Sequence, residues 1–154
     1  MKPHVAQEMA LMLMRQHGLH DWTFELRELK SYFGFCYWHK RHIVLSRPLT
    51  ELNDESHVRN TILHEIAHAL TPRHERCHGK EWKRIAISIG CNGQRCYSKE
   101  VTKPISKYIG TCPTCSKKFN AHRRTTCSCP NCSGGTFCIK HLITWEERTS
   151  IVSA

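Results

Sequence analysis

Two short cysteine pairs constrain this chain more than any other feature. "CPTC" holds Cys112 and Cys115, "CPNC" holds Cys129 and Cys132, and thirteen residues separate the pairs. A two-residue spacing lets one tight turn present two sulfurs to a tetrahedral ion, and two facing turns complete a four-thiolate site with no open position. Cys127 competes with Cys129, although only Cys129 keeps the two-residue spacing to Cys132. The pattern predicts a zinc ribbon over residues 105–148 with a structural Zn2+. So short a segment buries little apolar surface, and metal binding must supply much of its folding free energy. The other cysteines (Cys36, Cys77, Cys91, Cys96 and Cys138) are scattered and read as small buried or half-buried side chains.

The residues before the ribbon read as one globular domain over 1–100. Val5, Met9, Met12 and Leu13 repeat at helical spacing over residues 3–17, and Gly18 is a stop. Glu8 and Arg15 interrupt this stretch and no small-residue cleavage site follows, so it reads as an amphipathic helix and not an export signal. No apolar run has the length of a membrane span. Reduced thiols and the lack of an export signal place the expected location inside the cell, in the cytoplasm. "TFELRE", "YFGFCYW" and "HIVLS" have strand character and predict two or three antiparallel strands with a hairpin near Lys40. Gly34 within a strand marks a bulge or a close backbone approach. A helix then follows, capped by Asn53 or Asp54 and ended by Pro72, with Val58, Ile62, Ile66 and Ala69 on one face. A second helix begins near Gly79 and carries Trp82, Ile85, Ala86 and Ile89. From Cys91 to Pro104 the chain turns polar and basic, as a linker does.

The longer helix contains "HEIAH", an H-E-x-x-H string. Four residues rotate a helix by about 400°, so His64 and His68 share a face one turn apart. Two imidazoles so placed can bind one Zn2+, and Glu65 beside them is a candidate general base for water attacking a carbonyl. A hydrolytic zinc needs a third protein ligand and an open fourth position. His74 and His78 both lie close enough. His78 is preferred, because Gly79 frees the backbone and a new helix can hold the ring.

Charge is unevenly placed. The chain carries +10, and residues 72–154 hold fifteen basic against five acidic residues, whereas residues 1–71 balance. A one-sided basic half favours a polyanion, most often nucleic acid. "SKKFNAHRRTT" between the knuckles reads as a hairpin excursion. In it Lys117, Lys118, Arg123 and Arg124 flank Phe119, a pattern suited to phosphates on the cations and a base on the ring. Packing of Phe119 in the ribbon core is the competing reading. No oxyanion-stabilising donor is selected: Tyr97 and Tyr108 are available, but spacing favours neither.

Taken in order, "HGLHDWTFEL", "GFCYWHKRHIVLS", "ILHEIAHAL", "CHGKEWK" and the paired knuckles resemble the SprT-like family. These are zinc metallopeptidase-type domains, some with a C-terminal zinc ribbon. The resemblance implies an α+β, zincin-like fold: an N-terminal helix, a short antiparallel sheet, the H-E-x-x-H helix and a following helix. It implies His64, His68 and His78 as ligands of a catalytic zinc, Glu65 as general base, and Trp82 packed beneath the site. Gly79 to Trp82 is slightly shorter than the family's Gly-x-x-x-Trp step. Among relatives, the Spartan proteases cleave proteins trapped covalently on DNA and are switched on by DNA. Expected partners are therefore DNA, single-stranded or distorted, and proteins bound to it, with no membrane. The chain has no recognisable partner-binding peptide, so the metal chemistry carries over more securely than the substrate.

Overall fold

Proline at the first helical position starts α1 (Pro3–Gln16) in the computed structural model, which describes residues 1–95 and 101–149. Ala6, Ala10, Leu13 and Met14 form its buried stripe, the larger two contributing roughly 1.5–3 kcal/mol each. Gly18, at φ +78°, turns the chain out of the helix. Three strands follow, β1 (Thr23–Arg27), β2 (Gly34–Tyr37) and β3 (His42–Ser46), in spatial order β1-β3-β2.

The antiparallel sheet expected from the sequence is in fact mixed. β2 and β3 form an antiparallel hairpin around a short turn at Trp38–Lys40, with Tyr37 opposite His42 and Gly34 opposite Leu45. β1 instead runs parallel to β3, with Thr23 opposite His42 and Arg27 opposite Ser46. The reason is burial. Ile43, Val44 and Leu45 are inaccessible to solvent, and a strand covered on both faces belongs in the centre of a sheet. Residues 28–33 carry the chain over the end of β3, where the Ser46 N–H donates to the Phe33 carbonyl at 2.7 Å.

A short helix that sequence reading did not anticipate, α2 (Arg47–Leu52), follows at once, capped by the Ser46 hydroxyl accepting from the Leu49 N–H. The central helix α3 (Glu55–Leu70) is capped by Asp54, whose carboxylate accepts from the His57 N–H at 2.9 Å. This bond first, then those from the Ser56 hydroxyl and the His57 ring, hold the Asp54 carboxyl down to about 2. α3 buries Val58, Ile62, Leu63, Ile66 and Ala67 and packs on α1, on β2 and on α4 (Lys80–Ser88). Asn53 ties the later chain to this core: its amide donates to the Leu49 and Thr102 carbonyls and accepts from the Thr102 N–H.

The chain divides into two compact units, one ending at Pro104 and the other beginning at Ile105. In the second unit β4 (Tyr108–Thr111) lies between β5 (Lys118–Ala121) and β6 (Thr144–Glu147), antiparallel to both. The hairpin therefore forms around the first knuckle and not between the two. Gly110 sits at the crossing: a Cβ there would lie 2.5 Å from Ile143 and 2.7 Å from the Trp145 ring. Among the described residues the buried core is small: Cys112, Cys129 and Ile143, with Phe119, Cys127, Cys132 and Trp145 packed against it.

Candidate metal centre

Three imidazoles converge in the first unit. His64 and His68 project from α3, and His78 reaches the same point from the segment before α4. Their Nε2 atoms lie 3.0 Å (His64–His78), 3.2 Å (His64–His68) and 3.0 Å (His68–His78) apart. No triangle of neutral rings can satisfy three such Nε2–Nε2 contacts by mutual N–H donation, because an imidazole nitrogen that carries a proton has no lone pair left to accept with. Three nitrogens bound tetrahedrally to zinc at ~2.0–2.1 Å would stand about 3.3–3.4 Å apart. The donor set fits such an ion within a few tenths of an ångström.

Local structure explains why these rings meet. His78 adopts the left-handed region at φ +56°, a conformation costing roughly 1–2 kcal/mol in a residue with a side chain. The turn behind it is tight: Gly79 N–H donates to the Arg76 carbonyl at 2.7 Å, and a Cβ at Gly79 would meet that oxygen at 2.8 Å. Trp82, 1% exposed on α4, floors the site with ring centroids 4.7, 5.3 and 4.6 Å from His64, His68 and His78. His74 is exposed and contacts Glu75; it does not join the cluster.

Electrostatics keep the rings unprotonated. Burial, then the charge of His78, lowers His64 to about 4, against a smaller opposing effect of a hydrogen bond at the Gln94 backbone. Burial, then His64 and His78, lowers His68 to about 3. Burial and the Arg95 charge lower His78. At neutral pH each ring offers a lone pair, as a metal ligand must.

Glu65 stands beside this cluster on α3 and is 6% exposed. Gly34, at the start of β2, comes so close that a Cβ there would lie 2.8 Å from Glu65 Oε1. The strand glycine noted in the sequence thus marks a close backbone approach to the carboxylate. Burial pushes the Glu65 carboxyl up to about 8.

All four side chains line a cleft of about 1020 Å3, with Ser31 to Cys36 along one wall and Arg73, Glu75, Arg95 and Lys103 among its charged residues. Two of the scattered thiols also face it: Cys36, half-buried as expected, and Cys77, which is exposed and not buried; Cys96 lies outside the described residues. Cys36 is pushed up to about 12, by burial first and then by Glu65 and Cys77. The Cys77 Sγ lies 3.4 Å from His78 Nδ1, where a partner orients a ligand ring. Only the adjacency of Cys77 to His78 in sequence could have signalled this. Of the two tyrosines considered as oxyanion donors, Tyr97 lies outside the described residues. Tyr108 is on β4 with Arg124 and Lys107 over its ring, at 4.9 and 5.4 Å.

The second unit holds the other donor set. Cys112, Cys115, Cys129 and Cys132 have sulfurs all within 4.8 Å of one another. Cys112–Cys132 and Cys115–Cys129 are separated by 4.0 and 3.7 Å, against about 3.8 Å for thiolates on tetrahedral zinc at ~2.3 Å. Burial opposes the Cys112 thiolate, but backbone N–H groups of Cys115 and Thr114 outweigh it and bring the thiol down to about 6. Cys127 is not in this group; Thr125 Oγ1 lies 3.5 Å from its sulfur. Lys118, Arg123 and Arg124 are exposed, and Lys117 reaches Asn131 and the edge of Phe119's ring face. Phe119 itself packs against the cysteine core and carries the Lys117 ammonium 5.9 Å from its ring centroid, whereas Tyr108 carries two cations.

A profile of the SprT-like family matches residues 4–103. The chain belongs to the SprT-like family. Curated relatives agree: it is 28% identical over 103 residues to Protein SprT of Pseudomonas putida (strain W619), covering 63% of this chain and 62% of that protein. It is 28% identical over 105 residues to Protein SprT of Pseudomonas entomophila (strain L48), with the same coverage. The match to Protein SprT of Pseudomonas putida (strain GB-1) is 29% over 99 residues, 59% of this chain and 58% of that one. The chain thus spans about three fifths of the length of these SprT relatives. The family match contains the histidine cluster and Glu65, and the four-cysteine unit lies beyond it. No helix among the described residues is long and apolar enough to cross a membrane.

Proposed function

We propose that this chain is a zinc-dependent endopeptidase of SprT-like type, acting on proteins bound to or crosslinked with DNA. The observation that carries the peptidase reading is the meeting of three Nε2 atoms within 3.2 Å beside a buried carboxylate in an open cleft. His64, His68 and His78 would hold a catalytic zinc, and Cys112, Cys115, Cys129 and Cys132 a structural one. Zinc bound to the histidines would supply a Lewis acid and lower the pKa of water toward neutrality. Glu65 is then the general base, taking the water's proton at a carboxylate oxygen and passing it to the departing amine. Burial alone keeps this carboxyl protonated at neutral pH, and a dication beside it is the charge that would draw its pKa back down. Along the cleft wall β2 is an edge strand of its sheet. Its outer edge, paired with no other strand among the described residues, offers backbone hydrogen bonds to an extended substrate, which would order the scissile peptide without a dedicated side chain.

The DNA reading rests on charge. The basic excess of the chain lies beyond residue 71, and the ribbon exposes Lys118, Arg123 and Arg124 with a cation-flanked Tyr108, a combination suited to single strands. Such a protein works inside the cell, where its thiols stay reduced. The test is digestion of a basic DNA-binding protein by the zinc-loaded chain, with and without single-stranded DNA. Cleavage should rise severalfold with DNA, and the rise should fade with added salt. Cleavage indifferent to DNA would indicate a general peptidase; DNA binding without any cleavage would indicate an adaptor.

A further inference from the structure

The wall of the cleft formed by β2 has a chemical bias that metal binding does not require. Gly34 presents its Cα toward Glu65, so strand alternation sends Phe35 and Tyr37 to the opposite face. There Phe35 packs between Tyr32, at 4.9 Å between centroids, and Tyr37, at 6.2 Å. Val44, paired with Phe35 across the sheet, is fully buried. Tyr32 nevertheless remains 59% exposed and Trp38 39% exposed, and both line the cleft with Phe35. Trp38 is held in place by Arg73, whose guanidinium lies 5.0 Å over its ring and donates to His39 Nε2 at 2.7 Å. Among the described residues the same cleft carries Arg73, Arg95 and Lys103 with Glu65 and Glu75.

We infer that the cleft selects unfolded segments with a bulky apolar side chain, aromatic for preference, near the scissile bond, and that it rejects lysine and arginine there. This rests on the peptidase reading and names its substrate class. A strand added to the outer edge of β2 places alternate side chains on the Phe35 face, beside Phe35 and Tyr32. An aromatic residue at that position gains ring contacts and covers Tyr32, which no described residue of this chain fully shields. A cationic residue gains less and meets Arg73, Arg95 and Lys103, with the charge of a metal close by. Acidic residues tolerate that field but lack the apolar contact, and fall between.

The experiment uses the zinc-loaded full chain and quenched Gly/Ser/Ala peptides that carry one Phe, Leu, Ala, Asp or Lys. The Phe peptide should exceed the Ala peptide in kcat/KM by roughly tenfold, with Lys lowest. Tyr32→Ala, at an exposed position, and Phe35→Leu should each move the Phe-to-Ala ratio toward one. Equal cleavage of all five peptides by the wild type overturns the inference and leaves the peptidase reading standing. A full ratio retained in both variants overturns the assignment to these rings. No cleavage of any peptide, with zinc content verified, overturns both readings.

Discussion

Glutamine in place of Glu65 is expected to reduce proteolysis by a factor on the order of 10^2–10^4 while leaving both metal sites filled. The amide preserves the shape that packs against Gly34 and removes the only function assigned to the carboxylate, proton transfer. The same variant makes a second prediction for the metal-free chain. Burial holds Glu65 near 8, against an ordinary value of 4.5. The unfolded chain therefore releases this proton first, and folding must take it up again as pH rises between those values. The contribution of Glu65 to stability is present below about 4.5 and is lost as pH rises toward 8. At the limit the loss is about 1.4 kcal/mol per pH unit across the window. Glu65→Gln has no such proton. Metal-free wild type and variant should melt together near pH 5 and diverge toward pH 8, the variant being more stable. Histidine titration is common to both and cancels. Thermal melts followed by helical circular dichroism report the first unit, which contains α1 to α4. A gap independent of pH would remove the burial argument. Full proteolysis by Glu65→Gln would remove the mechanism.

Cys112→Ser is expected to unfold the second unit and spare the first. Among the described residues the ribbon's buried side chains are Cys112, Cys129 and Ile143, with Phe119 and Trp145 packed against them, an apolar burial worth on the order of several kcal/mol. Structural zinc contributes on the order of 10–16 kcal/mol in comparable small units. Cys112 is 1% exposed and has the backbone N–H groups of Thr114 and Cys115 directed at it, so serine loses both the metal and the core. Hydrogen exchange should show the amides of β4, β5 and β6 unprotected in the variant, with α3 still protected. Persistent protection of β4 would mean that the ribbon folds without its metal.

How much of this could be read from the chain follows from which interactions are local. The helical repeat of Val58, Ile62 and Ile66 and the caps at Asp54 and Gly79 are local signals, and the helices lie where these place them. Strand direction is different. Alternation has a period of two whichever way a strand runs, so "TFELR" could not disclose that it lies parallel to β3. The uninterrupted apolar run Ile43–Leu45, fully buried, was the available sign that β3 is central. α2 was also legible: Ser46 caps it and Pro48 occupies its first turn, yet a proline after a strand reads first as a break. The convergence of His78 with His64 and His68 depends on a left-handed backbone at His78 that no spacing rule supplies. Packing of Phe119 into the cysteine core and stacking of Arg124 over Tyr108 are tertiary outcomes. The fold does place Lys117 5.9 Å from the centroid of the Phe119 ring, as the sequence pairs them, but the pairing of Arg124 with Tyr108 is one that spacing does not disclose.

Zinc stoichiometry by native mass spectrometry, wild type against His78→Ala, bears most directly on the metal centre. His78 contributes one of three converging nitrogens and nothing to the cysteine site, so its loss should empty one site and spare the other. Two zinc ions per wild-type chain and one per variant chain are the expected result. Two ions retained in the variant, or only one in the wild type, would contradict a zinc centre built on His64, His68 and His78.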